Sequence, residues 1–174
     1  MLTIVMLLTG DVQEARMVRA YLQENYSGEE YERILVYCGE DAEAVTFLDQ
    51  DPSAVLFDGR GAGIAASCNA ALHHASGREI LFSAAPYVLV PAALRSMKRA
   101  ADGSGGVSLV VPMLQAPVGV DKAQELFKDQ RLPYRDAEGM GLFAEELSAN
   151  PDVSFVSAVL EFCFLAQRQV LLEM

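Results

Sequence analysis

Residues 53–94 read SAVLFDGRGAGIAASCNAALHHASGREILFSAAPYVLVPAAL. An apolar run (54–57) leads through a glycine cluster into a stretch of small residues (62–75), and a second apolar run (79–82) is followed by a helical stretch opened by Pro91 (91–100). Proline suits the first turn of a helix because an N–H there would lack a partner anyway. Short runs rich in Val, Ile, Leu and Phe, without polar alternation, mark strands buried on both faces. Alternated with helical stretches, they predict βαβ units and a parallel sheet.

The same unit recurs on either side. Residues 2–8 are almost wholly apolar, and Ala15, Val18, Ala20, Tyr21 and Leu22 follow at roughly helical spacing behind Asp11, which stands where an N-cap belongs. Residues 33–37 read as strand and 41–48 as helix; beyond the central stretch, 106–111 read as strand after a DGSGG turn at 102–106. Proline, charge and short apolar pieces mix over 114–138, which predicts a long surface excursion. From Val153 the pattern hardens into a further strand and a last helix ending at Met174. The expected architecture is one doubly wound α/β domain over 1–174, with a mostly parallel, Rossmann-like sheet.

Composition agrees. With 52% hydrophobic and 21% charged residues among 174, the chain has material for a core. Thirteen basic against twenty-four acidic residues leave a net charge of −11, which repels phosphate backbones and argues against nucleic-acid partners. The three cysteines, Cys38, Cys68 and Cys163, form no C-x-x-C pair and no disulfide framework. The opening apolar run lacks the basic flank of a signal peptide, and no run approaches the ~18 residues of a membrane span. A soluble cytoplasmic protein without a transmembrane segment is expected.

In an open parallel sheet, ligands bind at the carboxyl ends of the strands. Asp11 follows the first strand, Glu40 and Asp41 the second, Asp58 the third and Ser83 the fourth. Aspartate is also a favoured helix cap, which competes with a binding role at Asp11 and Asp41 and leaves Asp58 as the stronger site candidate. The run Gly59-Arg60-Gly61-Ala62-Gly63 resembles a phosphate-binding turn, with Arg60 as a cation beside it. It is not a dinucleotide fingerprint: the third glycine falls one residue early, and no acidic residue follows the next strand to hold a ribose. His73 and His74 project about 100° apart and cannot share a metal from one helix face. No G-x-S-x-G elbow supports a serine nucleophile.

The central stretch resembles the nucleotide-sugar glycosyltransferases of family 2, whose N-terminal half is a nucleotide-binding domain of the GT-A type. Gly61-Ala62-Gly63 stands in the place of that family's N-x-G turn, Cys68-Asn69 closes the helix motif, residues 75–82 (ASGREILF) match A-x-G-x-x-I-L-F, and Pro91 opens the next helix. The flanks TIVMLLTGD, RILVYCGED and FCFLAQRQVLLEM are similar to the family's opening strand, its second strand and the segment before its G-x-F-D-E motif. The resemblance implies transfer of a sugar, with inversion, from a nucleotide-diphosphate sugar to an acceptor hydroxyl. It implies a donor site lined by Thr9, Asp11, Glu40, Asp41, Asp58, Arg60, Gly63, Asn69 and Ser83. Asp58 or Asp41 would hold ribose or base, and amides near Gly63, with Arg60, would face the diphosphate.

Two departures matter. Ala84 and Pro86 stand at the metal-binding positions of D-x-D, and neither offers the carboxylate oxygen that Mg²⁺ or Mn²⁺ requires, so no divalent metal is expected. The base-binding aspartate of the second strand is replaced by Tyr37 or Cys38. The chain also stops before the family's acceptor region, so no catalytic base can be named. Three readings stay open: a donor-binding glycosyltransferase domain that is metal-independent or inactive alone, a non-catalytic interaction or regulatory module, and an unrelated α/β nucleotide-binding or signalling domain. Val170, Leu171 and Leu172 suggest a face covered by further chain or by a second subunit.

Overall fold

The computed structural model describes residues 1–85, 89, 91–103, 109–110 and 163–173. Six strands and five helices are described: β1 (Leu2–Leu8), α1 (Val12–Asn25), β2 (Tyr31–Tyr37), α2 (Ala42–Asp49), β3 (Val55–Asp58), α3 (Ile64–His74), β4 (Glu79–Ala84), α4 (Pro91–Gly103), β5 (Leu109–Val110), β6 (Cys163–Gln167) and α5 (Arg168–Glu173). Pro86, the 114–138 excursion and the run 153–162 lie outside the described residues.

The strands form one sheet in the order β3-β2-β1-β4-β6-β5. Strands β1 to β4 pair in parallel, while β6 runs antiparallel to both β4 and β5. The α/β class and the mostly parallel sheet are as expected. All seven residues of β1 are buried, because β1 has neighbours on both edges and helices on both faces. On one face Leu2, Ile4, Met6 and Leu8 pack with Leu35, Tyr37, Leu81 and Leu165 under α1, α2 and α4; on the other, Val5 and Leu7 pack with Ile34, Val36, Ile80 and Phe82 under α3. Each buried Leu or Ile contributes about 1.5–3 kcal/mol relative to exposure. In α5, Leu171 joins the second face while Leu172 stays exposed. Among the described residues, no helix is long and apolar enough to cross a membrane.

The end of the sheet away from the candidate site is tied by one carboxylate. Glu32 accepts from the Thr3 hydroxyl, from the Ser76 amide at 2.8 Å and from the Ser76 hydroxyl at 2.8 Å, while Thr3 Oγ1 accepts from the Gly77 amide at 2.9 Å. Burial alone would raise the pKa of Glu32, but these bonds outweigh it and hold it below the usual carboxylate range. Asp51 is lowered in the same balance, with bonds from Ser53 and the charge of Arg19 overcoming burial. A folded-state pKa below the unfolded one adds stability that is complete above about pH 4.3 and is lost as pH falls through the folded value. The melting temperature is therefore expected to be flat from pH 7 to about 5 and to drop below about pH 4.3, with a smaller drop in Glu32→Gln. Circular dichroism melts across that range check it; a decline already complete by pH 5 would contradict it.

Candidate functional site

Strand order reverses at β1, whose neighbours are β2 and β4, so the crevice predicted for a ligand lies beyond the carboxyl ends of these strands. The turn after β1 is closed by carboxylates of the chain itself. Asp11 caps α1, its Oδ1 accepting from the amides of Gln13 at 3.0 Å and Glu14 at 3.1 Å. Glu14 reaches back to the amides of Thr9 at 3.1 Å and Gly10 at 2.8 Å. The pair is a variant of the capping box that the spacing D-V-Q-E makes legible, with Glu14 taking the two amides before the N-cap in place of that of Asp11. Thr9 and Asp11 are both exposed at the lip of the turn.

Asp41 caps α2 through Oδ1, which accepts from Glu43 at 2.8 Å, and its Oδ2 accepts from the Val12 amide at 2.9 Å in the neighbouring turn. The Glu43 and Val12 amides hold its carboxyl below the ordinary value. Both Asp11 and Asp41 are thus committed to helix starts. Between the two turns lies Tyr37, fully buried, its hydroxyl donating to the Gly10 carbonyl at 2.8 Å and accepting from the Asp41 amide at 3.0 Å. Glu40 is exposed beside it.

After β3, Asp58 and Arg60 form a bidentate pair: Nε to Oδ1 at 2.9 Å and Nη2 to Oδ2 at 2.7 Å, with the Arg60 amide also donating to Oδ1 at 3.2 Å. The Arg60 guanidinium keeps the Asp58 carboxyl below its usual range, and Asp58 raises Arg60 in turn. With side chains 36% and 41% exposed, the pair is in contact with water and weakened by solvent screening, so a phosphate can compete for the arginine. Gly61 and Gly63 have φ of +83° and +85°, a left-handed conformation that glycine adopts without strain. Gly63 is the N-cap of α3 and supplies no side-chain cap, so the first amides of α3 have no capping side chain. Asn69 lies on the exposed side of α3, mid-helix.

At the end of β4 the Ser83 hydroxyl is 1% exposed with no hydrogen-bond partner; Ala84 and Ala85 follow, and the Ala85 amide donates to the Leu7 carbonyl at 2.8 Å. Serine and alanine do not fit a hard divalent cation, which needs several carboxylate or carbonyl oxygens. Among the described residues, no group of three His, Cys, Asp or Glu could hold a metal ion. The connection after β4 is anchored from α1: the hydroxyls of Tyr21 and Tyr26 both donate to the buried Leu89 carbonyl, and burial pushes the Tyr21 phenol up to about 12. From sequence Tyr21 reads as one more helix position, and Tyr26, the C-cap of α1, does not stand out.

His73 and His74, exposed at the end of α3, take no part. A cavity of about 250 Å³ bounded by Arg78, Glu79, Lys98, Asp102 and Gln167 lies at the opposite end of β4, where Lys98 and Glu79 pair at 3.1 Å.

The fold is shared with solved structures. Residues 1–349 of TarS from S. aureus superpose with a TM-score of 0.62 at 15% identity, covering 99% of this chain and 49% of that one. Mannosyl-3-phosphoglycerate synthase from Rubrobacter xylanophilus gives 0.57 at 18% identity, covering 97% and 54%. The mannosyltransferase PcManGT from Pyrobaculum calidifontis, solved with GDP-Man and Mn²⁺, gives 0.54 at 18% identity, covering 99% and 46%. The fold is that of the GT-A glycosyltransferases. At these identities the likeness is one of fold, and the chain spans about half the length of the structures it matches. No protein-family model and no curated protein matches the chain.

Proposed function

We propose that this chain is the donor-binding half of a glycosyltransferase-like protein, and that it takes the diphosphate of a nucleotide-sugar without a divalent cation. The observation that carries the reading is the end of β4, where Ser83, Ala84 and Ala85 stand in a GT-A fold without a carboxylate. Two positive features on the same edge of the sheet can take over the neutralising role. One is Arg60, held only by a solvated ion pair; the other is the start of α3, whose amides carry no capping side chain and whose dipole favours an anion. The binding of GDP-Man by PcManGT supports a nucleotide-sugar as the ligand class. Three cysteines outside any disulfide suit a reducing cytoplasm.

A second reading, a non-catalytic interaction module, is favoured by a different observation. Three of the carboxylates at the carboxyl ends of the strands, Asp11, Asp41 and Asp58, are engaged within the chain.

Thermal melts with nucleoside diphosphates in EDTA separate the two. Ligand at a hundred times its Kd stabilises by about 2.7 kcal/mol, roughly 5–10 °C for a chain of this size. Such a rise is expected; unchanged melting across uridine, guanosine and thymidine diphosphates would favour the interaction module.

A further inference from the structure

We infer that Cys38 and Cys68 are a redox-sensitive pair, which closes to a disulfide by exchange with a small-molecule disulfide and so ties the start of α3 to the end of β2. The inference is independent of the donor reading. Cys163 is fully buried on the face of the sheet under α1, α2 and α4, whereas Cys38 and Cys68 are half-buried and pack on the same cluster on the other face.

Two periodicities bring them to that face. Side chains alternate along β2, so Ile34, Val36 and Cys38 turn toward α3 while Leu35 and Tyr37 turn away. The Cys38 amide donates to the Leu8 carbonyl at 2.9 Å, which carries the strand one residue further. In α3, Ser67 and Ala71 are buried against the sheet, one turn apart, with Cys68 and Leu72 beside them.

Gly59 shows how near the two elements come. A Cβ there would stand 2.7 Å from Cys38 Sγ and 2.8 Å from Ser67 Cβ, so the sulfur and the helix meet across one bare glycine, and Cys68 is the next residue along. Burial raises the Cys68 thiol to about 11, and the neighbouring Cys38 adds to the rise. A disulfide needs Cα atoms about 4.4–6.8 Å apart. The start of α3 is free to adjust to that span, because Gly61 and Gly63 precede it at positive φ and a Cβ on either would meet no atom within 4 Å.

The exchange balances in two steps. Cys68 keeps its proton at neutral pH, so the Cys38 thiolate attacks first; its sulfur bonds to one sulfur of the small disulfide, and the other leaves as a thiolate. Cys68 then gives its proton to solvent, attacks Cys38 Sγ and expels the second small thiol. Two protein thiols are oxidised and one small-molecule disulfide is reduced.

The test is incubation of the native full chain with oxidised glutathione, alkylation of the remaining thiols, and mass spectrometry of the tryptic peptides. Cleavage after Arg33, Arg60 and Arg78 puts Cys38 in 34–60 and Cys68 in 61–78. These two peptides are expected as one disulfide-linked species, with Cys163 alkylated only after unfolding, and the oxidised chain should melt roughly 5–10 °C above the reduced one. In Cys68→Ser the glutathione should instead stay on Cys38, since nothing is left to expel it. Stable glutathione adducts on the parent chain without the linked peptide, no reaction at Cys38, or a bridge between two chains or to Cys163 would overturn the pairing. A linked chain that melts no higher than the reduced one would overturn the tie between α3 and β2.

Discussion

A Gly77→Ala chain is expected to melt roughly 6–12 °C below the parent. The added Cβ would lie 2.6 Å from the Thr3 amide nitrogen and 2.6 Å from Thr3 Oγ1. The first of these is backbone of the buried central strand and cannot move aside without shifting β1 against β2 and β4. The second is the acceptor of the Gly77 amide, so the same methyl disturbs the Glu32 network that joins β1, β2 and the turn before β4. Overpacking of this kind costs about 3 kcal/mol, and each kcal/mol shifts the melting temperature by roughly 2–4 °C at this chain length. The glycine of the ASGREILF stretch thus has a steric reason. A melting temperature within about 2 °C of the parent would show that β1 yields where the packing says it cannot.

The largest effect on binding is expected at Arg60. In Arg60→Ala the affinity for a nucleoside diphosphate should fall roughly ten- to a hundredfold, the worth of a charge-assisted hydrogen bond to phosphate. The melting temperature of the free protein should stay put, because the ion pair with Asp58 is solvated. Asp58→Asn separates two roles for the carboxylate. If Asp58 only occupies and neutralises the guanidinium, as its bidentate pairing implies, the change frees Arg60 and tightens binding severalfold. Weaker binding in Asp58→Asn would instead put the carboxylate on the ligand. Equilibrium dialysis with labelled nucleotide measures both variants.

The fold was legible because its strands are short, continuous apolar runs separated by turn chemistry. Residues 2–8, 33–37, 54–57 and 79–82 each fall within or one residue from an observed strand, and Pro91 opens its helix. Boundaries moved where tertiary pairing outweighed local composition: β2 begins at Tyr31 because Leu2 of β1 pairs with it, and β4 extends to Ala84 opposite Leu7. The reversed direction of β6 was not legible, since CFLAQ has no periodicity that tells a parallel from an antiparallel neighbour.

The site divides the same way. The caps at Asp11 and Asp41 follow from position alone, and the reach of Glu14 follows from its spacing. The locking of Arg60 onto Asp58 depends on how the glycine turn folds back, which sequence does not state. Tyr37 reads as one more apolar strand residue until the register with Leu8 brings its hydroxyl to Gly10. Ser83 reads as a crevice residue, yet it lies within β4, fully buried on the α1 side of the sheet, level with Met6 and Cys163.

The central claim is that a diphosphate is held here by arginine and backbone amides in place of a metal ion. Isothermal titration of one nucleoside diphosphate into the chain, once with Mn²⁺ and once with EDTA, tests it most directly. The account predicts the same Kd within about threefold in both buffers. Affinity that appears only with Mn²⁺, lost again when the ion is chelated, would contradict it.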